Sequence, residues 1–318
     1  MVTRKSSATE SAVIQPQRIS VSDEQLADLH QRLLATRWPD TQCLPVFRQR
    51  GIVHHWLHHY DWRARESLLN SFGWFNTVID DTAVDFLHAP SSRPDALPIL
   101  LVHGWPGSVL EFRSVIPALS ERFHVVIPSL SGWDLPRMAS AWAEVMGRLG
   151  YDRWLAHGGG WGARLAAHLG LLRPEGLEAV HLATSDDPMS EAPAAAWAVA
   201  LTDSPAGLAA WALKAYAPWT QSDVGLDEVL DSVMMLWLAN SWAPREVDTS
   251  GELTVPVGCS QFAPGTRRPD EIWPGLTCHD LFYRNEVAPA ARFPALQQPD
   301  VLVAELQRCF AARTWWHG

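Results

Sequence analysis

Tyr151-Asp152-Arg153-Trp154-Leu155-Ala156-His157-Gly158-Gly159-Gly160-Trp161-Gly162-Ala163-Arg164 reads as a strand, a sharp turn and a helix in direct succession. That form is a nucleophile elbow, the turn that lifts a reactive side chain above the edge of a parallel sheet. Gly160 stands at the tip and has no side chain to project. Covalent attack from this turn is therefore not expected.

Working outward, Ile99-Leu100-Leu101-Val102 is a continuous apolar run closed by His103-Gly104-Trp105-Pro106-Gly107-Ser108, the pattern of a buried parallel strand ending in a functional loop. A helix is expected from about Leu110, a second strand at His124–Pro128, and crossover helices at Leu135–Leu149 and Gly162–Leu172. Ala179-Val180-His181-Leu182 makes a further strand. Strand and helix alternating at this rhythm imply a doubly wound, mostly parallel sheet. Upstream, Ser22-Asp23-Glu24-Gln25 caps an amphipathic helix carrying Leu26, Leu29, Leu33 and Leu34, which ends before Trp38-Pro39. A second helix is expected over Tyr60–Phe72, then two short strands, 75–79 and 83–88, joined at Asp80-Asp81. Thr254–Cys259 returns to the sheet, and the last helix runs over Pro299–Ala312. The chain thus divides into a flexible tail (1–17), an N-terminal segment with the first strands (18–96), a first core half (97–185), an Ala- and Trp-rich helical lid (186–250) and a second core half (251–318).

The 318 residues, 47% of them hydrophobic, suffice for one large core with an insertion. A net charge of -10 without any clustered basic face speaks against nucleic acid as a partner. Arg4 and Lys5 have no apolar run behind them, so neither a signal peptide nor a membrane-spanning helix is expected. Cys43, Cys259, Cys278 and Cys309 lack metal-ligand spacing and a dense disulfide pattern, which fits reduced thiols in a cytoplasmic protein without a metal or other cofactor. The chain holds 17 Trp against 4 Tyr, a bias that suits cores and also pockets for broad apolar ligands.

These stretches together resemble the epoxide hydrolase family of the α/β-hydrolase fold, in the branch with an extra N-terminal segment found in microsomal and many actinobacterial members. The likeness is carried by His54-His55-Trp56-Leu57-His58-His59-Tyr60-Asp61-Trp62-Arg63, by residues 103–108 with Glu111-Phe112, by Gly158-Gly159 and Trp161-Gly162, by Ala200–Trp211 and by Phe293–Pro299. The resemblance implies the α/β-hydrolase fold, a mostly parallel doubly wound sheet with a helical lid. In that family an elbow Asp attacks the epoxide carbon, a His with an acidic partner activates the hydrolytic water, and lid tyrosines donate protons to the opening oxygen. Here Gly160 replaces the Asp, Gly265 stands where members place a Glu, and Arg292 stands where the His precedes Phe293. A guanidinium that stays charged cannot act as a general base. Relative to the family the chain is also shortened between Trp133 and Leu135 and between Asp187 and Ala200. The ring-opening tyrosines have no counterpart, since Tyr216 and Tyr283 sit elsewhere in the pattern. Ordinary epoxide hydrolysis is not expected.

What the resemblance leaves in place is an oxyanion site, the N–H groups of Trp161 and Trp105 pointing at one spot. Arg292, His157 and Asp186 join them as catalytic candidates, and His103, Gly160, Trp133 and Asp187 as substrate contacts. Each has a blander alternative: His103 as a structural member of its turn, His157 as a buried hydrogen-bonded core residue, Asp186 and Asp187 as a solvated hinge, Arg292 as a surface cation. His279 and Asp280 near a strand end have weaker claims. The expected function is promotion of C–C bond formation or cyclisation of a bulky hydrophobic or aromatic small molecule, polycyclic in kind, by positioning and oxyanion stabilisation. The resemblance suggests polyketide, including enediyne, assembly as its setting. A binding-only pseudoenzyme and epoxide opening without a covalent intermediate are the alternatives. No membrane partner is expected, and a homodimer is left open.

Overall fold

In the computed structural model, described over residues 13–40, 44–104, 107–129, 135–184, 198–216, 225–239, 250–262, 275–291 and 293–313, the apolar runs become one sheet. In chain order the N-terminal part gives β1 (Gln15–Gln17), α1 (Asp23–Leu34), α2 (Leu44–His58), α3 (Trp62–Ser71), β2 (Trp74–Ile79) and β3 (Thr82–Ala89). The first core half gives β4 (Leu97–Val102), a 3-10 turn (Val109–Phe112), α4 (Ile116–Ser120), β5 (Phe123–Pro128), α5 (Leu135–Arg148), β6 (Trp154–Gly159), α6 (Trp161–Leu172) and β7 (Leu177–Thr184). The lid contributes α7 (Ala198–Asp203), α8 (Pro205–Tyr216) and α9 (Leu226–Ala239). The chain closes with β8 (Gly251–Leu253), β9 (Val257–Gln261), β10 (Leu276–Cys278), β11 (Leu281–Glu286), α10 (Pro294–Gln297) and α11 (Pro299–Ala311).

Nine strands lie in the order β1-β2-β3-β5-β4-β6-β7-β9-β11. From β5 to β11 every neighbouring pair is parallel, while β1, β2 and β3 form an antiparallel edge. Both faces are covered. On one side Leu100, Val102, Ala156 and Val180 meet α5 and α6. On the other, Ile99, Leu101, Leu155 and Ala179 meet the N-terminal helices, the lid and α11. Strands buried on both faces read as unbroken apolar runs, which is why β4, β5 and β7 are plain in the sequence.

Several elements follow their local chemistry. Ser22 and Gln25 form a reciprocal capping box on α1. Asp80 and Asp81 both take positive φ, as a two-residue hairpin turn of the right twist requires. Other expectations need correction. Residues 15–17, assigned above to a flexible tail, form β1 and pair antiparallel with β2. Helix α2 has no counterpart in the sequence reading. The helix expected from Leu110 is a 3-10 turn followed by the short α4. The return strand expected over Thr254–Cys259 is divided, with β8 pairing β10 outside the main sheet and β9 starting only at Val257. Pro256 lies at the break and has no N–H to give a ladder.

The N-terminal helices clamp the lid through buried charge. Arg65 donates from Nε to Asp231 at 2.8 Å and from its terminal nitrogen to Asp227 at 2.9 Å. Tyr60 donates its hydroxyl to Asp231 at 2.9 Å, and His55 Nε2 lies 2.7 Å from Asp227. Arg113, just after the 3-10 turn, pairs with Glu228 at 2.5 Å. Asp231 is 1% exposed. Its carboxyl is pushed up by burial and pulled back by Arg65, Tyr60 and Arg113. Helix α9 is thereby tied both to the N-terminal segment and to the loop after β4.

Candidate functional site

The elbow has the geometry that its sequence predicts. Gly160 holds φ 54° and ψ -119°, a conformation L side chains rarely adopt, between the end of β6 and the first turn of α6. Its N–H donates to Ala183 O at 3.1 Å, and its carbonyl accepts from Ala163 N at 3.1 Å. Two flanking glycines make the crossing of strand and helix close. A Cβ on Gly158 would collide with the Gly162 carbonyl, and a Cβ on Gly162 would collide with the Val102 carbonyl. At Gly160 a Cβ would meet nothing within 4 Å among the described residues. The turn is thus held by glycines 158 and 162, while at the tip itself no described residue stands in the way of a side chain.

The loop after β4 comes to the same spot. A Cβ on Gly104 would lie 3.5 Å from Gly159 O, 3.7 Å from Trp161 N and 3.8 Å from Gly162 N. Trp161 and Gly162 occupy the first positions of α6, where N–H groups have no acceptor within the helix and the helix dipole is positive. An anionic oxygen above Gly160 would face these donors. His103 is 4% exposed, and its Nδ1 lies 2.9 Å from Gly104 O, so the ring closes its own turn. Burial lowers its pKa to about 4, which keeps it neutral. That placement favours the structural alternative for His103 over substrate contact.

Glu111 supports this loop and is a residue whose part sequence reasoning missed. It is 5% exposed, and a hydrogen bond from Gly104 backbone partly offsets its burial. Burial pushes the carboxyl up to about 7. A Cβ on Gly107 would lie 2.5 Å from Glu111 Oε2 and 2.9 Å from Gly104 O, so a glycine is needed where these groups converge. The signal was a carboxylate inside an apolar stretch, Val109-Leu110-Glu111-Phe112, directly after the loop.

His157 lies three residues before the tip, on the face of β6 that packs against Phe112, with ring centroids 6.3 Å apart. It is 1% exposed and its Nδ1 is 2.9 Å from Nδ1 of His181 on β7. Burial first, then His181, holds its pKa well below the ordinary histidine value. It is a neutral core residue in a hydrogen-bonded pair. Trp161, half-buried, packs its ring against both sides of the core. Of the other candidates, Trp105, Trp133, Asp186, Asp187, Gly265 and Arg292 lie outside the described residues. His279 is on the surface beside Glu252, and Asp280 pairs with Arg313, well apart in role from the elbow. Among the described residues no group of three or more His, Cys, Asp or Glu could hold a metal ion, and no helix is long and apolar enough to cross a membrane.

Comparison with known proteins agrees with this architecture. The family profile of the epoxide hydrolase N terminus matches residues 14–112, and that of the alpha/beta hydrolase fold matches residues 98–226. A Stigmatella aurantiaca protein described as a candidate epoxide hydrolase is 36% identical over 372 aligned positions, covering 93% of this chain and 84% of its own length. Epoxide hydrolase 1 of Sus scrofa is 23% identical over 414 positions, covering 95% and 89%. Both alignments are longer than the 318 residues of the chain, so each relative carries segments with no counterpart here. Among solved structures, the Aspergillus niger epoxide hydrolase superposes with a TM-score of 0.77 at 25% identity, covering 95% of this chain and 97% of that one. The juvenile hormone epoxide hydrolase of Bombyx mori gives 0.80 at 21% identity, covering 95% and 94%. On these matches the chain belongs to the epoxide hydrolase family, on the α/β-hydrolase fold.

Proposed function

We propose that this chain is a non-hydrolytic member of its family. It holds a bulky hydrophobic, polycyclic substrate at the elbow and promotes an intramolecular C–C bond formation or cyclisation, in a setting of polyketide natural-product assembly. The observation that carries this reading is Gly160, which keeps the elbow backbone at φ 54° and ψ -119° yet offers no nucleophile. Without an attacking carboxylate no ester intermediate forms, so the remaining levers are positioning and charge stabilisation. The N–H groups at the head of α6 supply the second. Donors of that kind are worth about 3–4 kcal/mol each when aimed at an oxygen that becomes negative in the transition state. An enolate or phenolate oxygen fits that description as well as an ester intermediate does.

The test has two arms. Incubation with simple aryl and alkyl epoxides in isotopically labelled water should give no diol above the uncatalysed blank, and mass spectrometry should show no covalent adduct. Polycyclic phenols should bind, more tightly as their acidity rises, and Gly160→Trp should abolish binding by filling the space above the tip. Turnover of a simple epoxide, or phenol binding indifferent to Gly160→Trp, would overturn the proposal.

A further inference from the structure

Beneath the elbow a line of buried polar groups crosses three strands and ends on the last helix. His157 Nδ1 lies 2.9 Å from His181 Nδ1, and His181 Nε2 lies 2.9 Å from Ser260 Oγ on β9. Ser260 Oγ donates to Glu305 Oε2 on α11 at 3.0 Å. Glu305 Oε2 also accepts from Tyr283 Oη at 3.0 Å and from Asn285 Nδ2 at 2.9 Å, while its Oε1 pairs with Arg308. His157, His181, Ser260 and Glu305 are all between 0% and 1% exposed, so water cannot rearrange the pattern.

The proton positions follow from one end. Among the described residues Glu305 meets the Asn285 amide N–H and the Arg308 guanidinium, which can only donate to it, so the carboxylate accepts from these and from the Ser260 and Tyr283 hydroxyls. Ser260 spends its single hydrogen on Glu305 and therefore presents a lone pair to His181. His181 must then carry its proton on Nε2. Burial keeps this ring neutral, with its pKa lowered to about 3, so its Nδ1 is bare. The short contact between the two Nδ1 atoms consequently needs the hydrogen on His157. His157 is neutral too, which leaves its Nε2 without a proton.

We infer that Glu305 is a positioning residue: acting through Ser260 and His181, it holds His157 with its proton on Nδ1 and its Nε2 free to accept a hydrogen bond. A ring with two nitrogens could otherwise flip its tautomer at little cost, and a carboxylate at the far end of the line removes that freedom. The chemistry that suits a bare Nε2 is a hydroxyl donor. The tautomer itself does not rest on the proposed function above.

The experiment needs no substrate, so its failure and that of the proposed function are separable. Nitrogen NMR of the full chain carrying labelled histidine, with signals assigned by their loss in His157→Gln and His181→Gln, reads the protonation of each ring nitrogen directly. In the wild type, His157 should show a protonated Nδ1 and bare Nε2, and His181 the reverse. Ser260→Ala removes the link, leaves a buried N–H of His181 facing a methyl group, and should convert both rings to a mixture or to the opposite pattern. Ser260→Thr, which restores the hydroxyl, should return the wild-type pattern. A proton on His157 Nε2 in the wild type overturns the inference, whatever the variants do. An unchanged pattern in a folded Ser260→Ala protein overturns it equally.

Discussion

A side chain on Gly158 would run into the carbonyl of Gly162, the residue that follows the elbow on the other side of its tip. Strand β6 and helix α6 meet there backbone to backbone, so the outer glycines of the Gly158-Gly159-Gly160-Trp161-Gly162 stretch are needed sterically. Gly160 is different, since only its backbone angle is demanding. Gly158→Ala is accordingly expected to prevent folding or to cost well above 3 kcal/mol, through displacement of packed backbone. Gly160→Ala should cost about 1–3 kcal/mol, the strain of a left-handed conformation for a residue with a Cβ. Urea melts of the two variants check the order, and a Gly158→Ala protein as stable as Gly160→Ala would contradict the close crossing.

Space at the tip also bears on chemistry. The Cβ of an Asp at 160 would meet none of the described residues, at the same backbone cost, and the side chain would restore the attacking carboxylate of the family. Hydrolysis of an ester intermediate needs a base as well, and position 292 carries an Arg. Gly160→Asp is thus expected to form at most a slowly accumulating covalent adduct with a reactive epoxide, with no diol turnover above the blank. Mass spectrometry of the protein together with product analysis distinguishes the two. Multiple-turnover hydrolysis by this single variant would show that a water-activating group survives elsewhere in the site.

The elbow and the central strands were readable because their requirements are local. Glycines at alternating positions after an apolar strand, and apolar runs of strand length, state their geometry within a few residues. Helix α2 was not readable in that way. Its buried Ile52, Val53 and Trp56 share the helix with Gly51, with Phe47 at 75% exposure and with His54, His55 and His58, so no clean apolar stripe marks it. The line from His157 to Glu305 was hidden for a different reason. His157 and His181 are 24 positions apart, and His181 and Ser260 are 79 apart. Only the strand order β6-β7-β9, with His157 in register with His181, brings them together. Glu111 was visible as a residue, but its role depends on where Gly104 and Gly107 fold back.

The clamp on the lid predicts a large effect from a distant residue. Asp231 is buried, and Arg65 is the side chain that meets it most closely, at 2.8 Å. Arg65→Ala leaves that carboxylate with Tyr60 and a longer contact of 3.6 Å to Arg113. Breaking one partner of a buried pair costs about 3–5 kcal/mol, whereas replacing both by apolar groups can be nearly neutral. Arg65→Met with Asp231→Leu should therefore recover most of the stability lost in Arg65→Ala. Denaturant melts measure the recovery, and limited proteolysis within α9 should quicken in the single variant but not in the double. Equal loss in both variants would mean that the charges are not what holds α9.

The buried titratable groups set opposite pH dependences that one variant separates. His103 is lowered to about 4 and His181 to about 3, both by burial, against an ordinary value of 6.5. Unfolded chains bind these protons below pH 6.5 while the folded protein does not, so this contribution is complete above pH 6.5 and is lost as pH falls toward 4. For His103 alone the shift corresponds to about 3 kcal/mol. Glu111 runs the other way. Its folded value of about 7 exceeds the ordinary 4.5, so the folded protein keeps the proton longer, and this contribution is complete below pH 4.5 and lost as pH rises through 7. Glu111→Gln keeps the shape and removes the titration. The variant should therefore gain stability relative to wild type by about 3 kcal/mol between pH 4.5 and about 7.5, the 1.36 kcal/mol per unit of a shifted carboxyl. Urea melts of both proteins at three pH values across that window test it. A stability difference that stays constant with pH would show that Glu111 titrates alike in the folded and unfolded chain, and so that the loop after β4 compensates its burial more fully than a single bond from Gly104 does.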